Sequence, residues 1–315
     1  MSSIPTRKLP LIDLSELDGS KPGMGPWVSL QSQVREALEE FGCFEALYEK
    51  MTPQLHDDVF QELEELLELP ADVKGRFVVP DKPFEGYCAH SPLVPHEVFG
   101  MDCAHSSGSI KRLADLMWPE GNARFCETMG KYFASLLELD SLVRKLVLRS
   151  LGVGSYLDSL AESVAYRVRL TKYAAPGTDE SKELGTVCHR DTSFLSILHQ
   201  NHVNGLEVQT KDGRWLEVAP SSASSFIVLT GDSFYGWSNG RLRSPPHRVM
   251  MSGHEPRYSI GFFSGARGTI QCPQELVDEQ HPLLFKPFDI AGLARIYQTE
   301  EGRNGASAMD TFYRI

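Results

Sequence analysis

Three residues of this chain carry the donor types of a metal centre: His189 and Asp191, flanking Arg190, and the distant His247. Side chains on a strand alternate faces, so positions i and i+2 point the same way. The spacing predicts that His189 and Asp191 sit on a strand and reach one ion together, with His247 supplying a third ligand from another strand. Two imidazoles and one carboxylate leave coordination positions open for substrate and oxygen, as Fe(II) oxygenases require. Zinc accepts the same donors. Further on, Arg257-Tyr258-Ser259 is the only Arg-x-Ser in the chain and lies at the apolar run YSIGFF. A guanidinium grips a carboxylate through two bonds and a hydroxyl adds a third. Arg257 and Ser259 are therefore expected to hold the far carboxylate of an acidic co-substrate, which favours Fe(II) with a chelating keto acid over zinc.

A second His-x-Asp, His56-Asp57-Asp58, falls in a helical pattern, where i and i+2 lie about 200° apart and cannot share an ion. A different chemistry is offered by Gly231-Asp232-Ser233-Phe234, which resembles the Ser block of GDSL hydrolases. Asp278 and His281 would complete an esterase triad with Ser233. Those hydrolases carry the block near the start of an α/β chain, whereas here it lies two-thirds along, in β-rich sequence. Asp232 and Asn239 read better as turn or supporting residues. Phe194, Tyr235, Trp237 and Phe263 lie near the motif residues, and Phe84 and Tyr87 lie in a long loop. Each is either core or part of the cavity mouth. If several line the mouth, the substrate is a sizeable apolar or ring-bearing molecule.

The elements that must position these residues follow from period and punctuation. LPLIDL at 9–14 and Phe44–Tyr48 read as strands. Trp27–Phe41 has helical spacing with Gly42 as its stop, and Thr52-Pro53 opens a helix through QELEELLEL. Residues 78–122 read as loop and 123–151 as a long helix. From about Tyr166 the period becomes strand-like, with candidates at 166–174, 194–199, 205–210, 214–218, 225–230, 247–252 and 257–263, and an Asp-Gly hairpin at 212–213. A last helix is expected near 288–301. The fold class is α+β, mainly β, with a jelly-roll core and flanking helices. The expected division is a helical part at 1–160, a β core at 161–270, and a tail with a helix at 271–315.

The 315 residues carry a formal net charge of -11, with 41% hydrophobic and 23% charged residues. That balance is ordinary for a globular protein and disfavours nucleic acid or an anionic membrane as partner. The start, MSSIPTRKLPLIDL, lacks the apolar stretch of a signal peptide, and no run is long enough to span a bilayer. Six cysteines without a CxxC pair read as free thiols of a reducing compartment. A cytoplasmic monomer with a small-molecule substrate is the expectation.

Over nearly its whole length the chain resembles the plant Fe(II)- and 2-oxoglutarate-dependent dioxygenases. The resemblance runs through LPLIDL, EFGCFEALYEK, RVRLTKYAAP, GTVCHRDTSFLSILHQ, NGLEVQTKDGRWLEVAP, GDSFYGWSNGRLRSPPHRV and RYSIGFFS. EALYEK, LHQ, GLEV and HPLLFKPFD look most like the branch that modifies glucosinolate side chains or hydroxylates steroidal glycoalkaloids. The resemblance implies a double-stranded β-helix, with His189, Asp191 and His247 as iron ligands. It implies that Arg257, Ser259 and Tyr173 hold the 2-oxoglutarate C5 carboxylate and that Phe263 faces the substrate. It further implies O2 as co-substrate, ascorbate to keep iron reduced, and succinate and CO2 as products. Hydroxylation is the default outcome; dealkylation, desaturation and ring closure are the family's other outcomes. A jelly-roll protein that binds without catalysis is the non-enzyme alternative, against which the intact triad and Arg-x-Ser speak. Two departures stand out. Arg190 replaces a usually small residue and is expected to face away from the metal in a structural ion pair. TKYAAP replaces the common Asn-Tyr-Tyr-Pro around Tyr173.

Overall fold

The computed structural model describes residues 8–15, 17, 25–80, 82, 85–89, 96–102, 107–299 and 307–315. The N-terminal part contains β1 (Leu11–Asp13), α1 (Pro26–Glu40), β2 (Cys43–Leu47), α2 (Pro53–Leu67) and α3 (Ala71–Lys74). It continues through β3 (Gly86–Cys88), β4 (Glu97–Asp102), α4 (Ser107–Met117), α5 (Ala123–Ser150) and α6 (Leu157–Ser163). The β-rich part follows with β5 (Val164–Tyr173), β6 (Thr178–His189), β7 (Leu195–Gln200), β8 (Leu206–Gln209), β9 (Trp215–Glu217) and β10 (Ser225–Thr230). Next come the short α7 (Asp232–Trp237), β11 (His247–Gly253), β12 (Arg257–Ala266) and α8 (Ile290–Tyr297).

Local chemistry explains the helix ends. Thr52 Oγ1 accepts the Leu55 N–H (3.1 Å) at the start of α2, and Pro53 occupies a position whose N–H would have no partner. Asn122 Oδ1 accepts the Phe125 N–H (2.9 Å) at the start of α5. Gly42 closes α1 at a positive φ of 73°, where a Cβ would meet the Arg243 carbonyl at 2.3 Å.

The strands form two sheets, one ordered β1-β2-β10-β7-β12-β5-β4-β3 and the other β6-β11-β8-β9. The two sheets pack face to face as a jelly roll. On β12 the alternation is complete: Tyr258, Ile260 and Phe262 pack into the core shared with the helices, while Arg257, Ser259, Gly261 and Phe263 line a cavity between the sheets. On β5, Val168 and Leu170 pack outward and Arg167, Arg169, Thr171 and Tyr173 line the cavity. α5 covers the outer face of the large sheet with buried Phe125, Met129, Tyr132, Phe133, Leu136, Leu139 and Val143, an i, i+3, i+4 stripe.

Two expectations need correction. Residues 78–122 are not loop throughout: β3, β4 and α4 lie there, and β4 pairs along β5 from Glu97↔Lys172 to Asp102↔Arg167. Its period is obscured because Gly100 interrupts a six-residue strand whose apolar face is only Phe99 and Met101. The His189–Asp191 step does not lie within a strand either. His189 is the last residue of β6, and Asp191 sits in the crossover that leads into β7 in the other sheet.

His199 shows what the helical layer demands of the sheet. Its ring lies buried beside Tyr132, Phe60 and Phe226, with Nδ1 facing the Tyr132 hydroxyl (3.2 Å) and Nε2 facing the Ala223 carbonyl (3.1 Å). Burial, reinforced by His56 and partly offset by the Ala223 carbonyl, pushes its pKa down to about 3. A folded-state value below the unfolded one gives stability that is complete above pH ~6.5 and is lost as pH falls toward 3. The slope from this one group approaches about 1.4 kcal/mol per pH unit. Urea midpoints at neutral and acid pH should therefore fall less steeply for His199→Gln than for the natural protein. Parallel pH profiles would exclude His199 as the source.

Candidate active site

The metal donors meet where the chain leaves one sheet for the other. His189 ends β6 and is the register partner of His247 at the start of β11. Their ring centroids are 4.3 Å apart. Asp191 turns back between them, with Oδ1 3.7 Å from His189 Nε2 and Oδ2 3.7 Å from His247 Nε2. One ligand atom from each residue lies within 4.8 Å of the others. This is the one such His/Cys/Asp/Glu group among the described residues.

Backbone carbonyls set the tautomers. His189 Nδ1 lies 2.8 Å from the Val187 carbonyl and His247 Nδ1 lies 3.3 Å from that of Pro245. A carbonyl only accepts, so each Nδ1 carries the proton and each Nε2 keeps a lone pair aimed inward. Burial and the neighbouring His247 push the His189 pKa down against the pull of Asp191, which keeps that imidazole neutral. Burial pulls the Asp191 pKa up, but His247, His189 and the Ser196 hydroxyl outweigh it and leave the carboxyl below its ordinary range. The result is one carboxylate between two imidazoles, a donor set suited to a divalent cation with open positions.

The crossover is held from behind by Gly231-Asp232-Ser233. The Asp232 N–H donates to the Asp191 carbonyl (2.7 Å), the Gly231 N–H to that of Phe194 (3.0 Å), and the Ser233 hydroxyl to that of Thr192 (2.5 Å). A Cβ at Gly231 would meet the Ser193 carbonyl at 2.2 Å, so only glycine allows this approach. Asp232 also accepts the Tyr297 hydroxyl of α8, tying one wall of the cavity to the crossover. Ser233 is thereby buried and committed to a carbonyl, while His281 is exposed and bonded to Asp278 (2.9 Å). The esterase reading is overturned. Asn239 anchors the tail by donating to the Leu276 and Pro282 carbonyls and accepting from Leu284 N–H (2.8 Å).

Arg257 is 2% exposed and points into the same cavity, about 740 Å³ in volume. Its Nη2 donates to Gln200 Oε1 (2.9 Å), and Gln200 is itself held by the Val203 carbonyl and Asn204 Oδ1, both 3.0 Å away. Its Nε and Nη1 are buried with no hydrogen-bond partner among the described residues. The Tyr173 ring lies 5.1 Å from the guanidinium carbon, and its hydroxyl accepts from Thr186 Oγ1 (3.2 Å). Burial lowers the Arg257 pKa, with Tyr173 opposing. A buried cation with two unanswered donors is costly unless an anion meets it. Ser259 lines the cavity on the same strand face. Sequence reasoning missed Gln200 and Ser196. The latter donates to Asp191 Oδ2 (2.5 Å), and its signal was only an i+5 hydroxyl on the inward face of β7.

The aromatic expectations divide. Phe263 reaches the cavity wall. Phe194 is buried against Phe234, Trp237 packs on Phe234 and Tyr156, Tyr235 donates to Asp310, and Tyr87 packs on Phe99 and donates to Glu97. Phe194 lies in the crossover ahead of β7, Tyr235 and Trp237 lie on α7, and Tyr87 lies on β3, so these four face the core or another surface. Phe84 lies outside the described residues. His96 reaches the cavity, with Nδ1 3.0 Å from the Gly185 carbonyl and its ring against Tyr173. Arg190 is directed to the Ser244 carbonyl, not into the expected ion pair.

Comparison with known proteins gives a consistent picture. Residues 165–266 match the model of the 2OG-Fe(II) oxygenase superfamily, and residues 9–97 match that of the non-haem dioxygenase in morphine synthesis N-terminal region. The chain is 41% identical over 312 residues to a probable 2-oxoglutarate-dependent dioxygenase, AOP1.2, of Arabidopsis thaliana, covering 97% of this chain and 95% of that protein. Among solved structures, the rice dioxygenase for auxin oxidation superposes with a TM-score of 0.82 at 28% identity, covering 97% of this chain and 100% of that one. The Arabidopsis thaliana auxin-oxidation dioxygenase in complex with 2-oxoglutarate superposes with a TM-score of 0.78 at 28% identity, covering 87% and 100%. No described helix is long and apolar enough to cross a membrane.

Loss of the Ser196 hydroxyl leaves the Asp191 carboxylate without its orienting donor. Ser196→Ala should weaken Fe(II) affinity by about 10- to 100-fold with the thermal midpoint retained. Anaerobic titration checks this, and an unchanged affinity would remove Ser196 from the supporting set.

Proposed function

The chain belongs to the 2OG-Fe(II) oxygenase superfamily, and on that premise we propose that it hydroxylates a small plant metabolite or hormone carrying an apolar or ring-bearing body. It is a 2-oxoglutarate-dependent oxidoreductase using Fe(II) and O2. The observation that carries the detailed reading is the buried Arg257 with two unanswered donors beside a His/Asp/His cluster.

We assign His189, Asp191 and His247 as the iron ligands, and Arg257, Ser259 and Tyr173 as the grip on the C5 carboxylate of 2-oxoglutarate. When bound, Fe(II) and 2-oxoglutarate supply the oxidation: the keto acid and O2 give succinate and CO2, and one oxygen atom enters the substrate as hydroxyl. The protein's residues do the rest. The Val187 and Pro245 carbonyls keep each Nε2 unprotonated, Ser196 orients Asp191, and Gln200 holds the Arg257 plane. Leu198, Leu206, Phe263 and Ile290 give the cavity apolar walls that exclude water and seat the substrate body. Arg167, paired with Asp102 at 2.7 Å, and Arg169 line it from the same face of β5 and add a polar rim to these walls. The auxin-oxidising relatives support a hormone-like molecule. Residues 161–270 form the catalytic unit in this reading, 1–160 its helical flank, and 271–315 the tail that supplies α8. The protein acts as a cytoplasmic monomer.

Asp191→Ala is expected to abolish both Fe(II) binding and substrate-coupled succinate release. Arg257→Ala should raise the 2-oxoglutarate requirement by about 100-fold or more, since a buried carboxylate loses its counter-charge. The checks are anaerobic titration of the Fe(II)–2-oxoglutarate charge-transfer band and succinate assay across a panel of plant acids. Full succinate production by the Asp191 variant would falsify the iron assignment.

A further inference from the structure

Arg190, spliced between two metal donors, carries its guanidinium to the Ser244 carbonyl at the edge of a second cavity, of about 770 Å³. Arg35, Lys211, Arg241 and Arg243 line it too. Two of these cations are answered by acids: Arg35 by Glu39 at 2.6 Å and Lys211 by Glu40 at 2.9 Å. The other three bond only main-chain carbonyls among the described residues. Arg241 Nη1 donates to Leu276 (2.8 Å) and Ser238 (3.4 Å), and Arg243 donates to Phe41 (2.7 Å) and Gln209 (2.6 Å). Arg190 Nε is buried with no partner among the described residues.

Carbonyls position a guanidinium but do not neutralise it. The acid lining the cavity besides Glu39 is Asp310, which already takes the Tyr235 hydroxyl (2.9 Å) and Arg314 (3.1 Å). Arg190 also feels the buried Asp232, but burial raises that carboxyl's pKa and its Oδ2 accepts from Tyr297. Burial and the nearby Arg190 lower the pKa of Arg243 against the pull of Cys43 and Glu40, so the two guanidiniums repel each other across this space. In a chain of net charge -11, clustered cations that repel one another are a local exception. A single carboxylate can occupy only one planar fork, whereas a tetrahedral oxyanion of higher charge accepts donors from several directions.

We propose that this cavity binds a phosphate group, free or as a phosphomonoester, through Arg190, Arg241 and Arg243, with Lys211 at its rim. The site lies apart from Arg257, with Arg190 the residue that lines both cavities, and its occupant would touch the residue that joins His189 to Asp191. Isothermal titration of anaerobic protein loaded with Fe(II) and 2-oxoglutarate tests it, using inorganic phosphate in one arm and glucose 6-phosphate in the other. Binding in the millimolar range or tighter is expected in at least one arm, and which arm is tighter identifies the source. Affinity should fall about tenfold, the loss of one charge-assisted contact, in Arg241→Gln and in the rim variant Lys211→Glu. Lys211 is more than half exposed, so its variant is expected to fold even if Arg241→Gln does not. No heat in either arm with the natural protein, or equal affinity in the folded variants, would overturn the proposal.

Discussion

Everything in the active site depends on how the chain passes from one sheet to the other between His189 and Leu195. A strand would have carried Asp191 onward along the sheet. Instead the crossover brings its carboxylate back against both imidazoles, at 3.7 Å from each Nε2. The turn is pinned by main-chain bonds from Gly231 and Asp232 and by the Ser233 hydroxyl. A turn held by backbone bonds cannot relax when the ligand charges repel or when burial disfavours them. That rigidity is what lets three costly groups share one small volume.

The second constraint is electrostatic. The chain is acidic overall, yet its cavity keeps Arg257 buried with Gln200 as its hydrogen-bond partner among the described residues. Such a group lowers stability in the empty protein and raises affinity for an anion of the right length. The same sheet face that isolates Arg257 from water also carries Ser259 and Phe263, so anion grip and apolar wall arise from one alternating strand. The helical layer enforces this division by burying Tyr258, Ile260 and Phe262 on the other side.

Much was legible from residue types. β5 and β7–β12 lie where the sequence pattern placed strands, whereas the twelve-residue β6 (Thr178–His189) was not among the candidates and β10 is buried along its whole length rather than alternating. β3 and β4 were hidden, since short strands with glycine at Gly86 and Gly100 carry little pattern. The donors His189, Asp191 and His247 were recognisable by chemistry, although the assumed strand geometry of Asp191 was not the one that unites them. The aromatic residues were least legible. Phe194 and Phe263 are the same residue type, and only their places in the fold, one in the crossover against Phe234 and the other on the inward face of β12, decide that one is core and the other cavity wall.

Residue identity and near neighbours settle the donor chemistry, the alternation that divides most strands into two faces, and the charge of the whole chain. The convergence of those donors, the partnering of Asp191 by Ser196 and of Arg257 by Gln200, and the diversion of Arg190 to Ser244 arise from the folded chain. These contacts join residues through the stacking of two sheets. Their distances are set by packing across the interior, which no local spacing encodes.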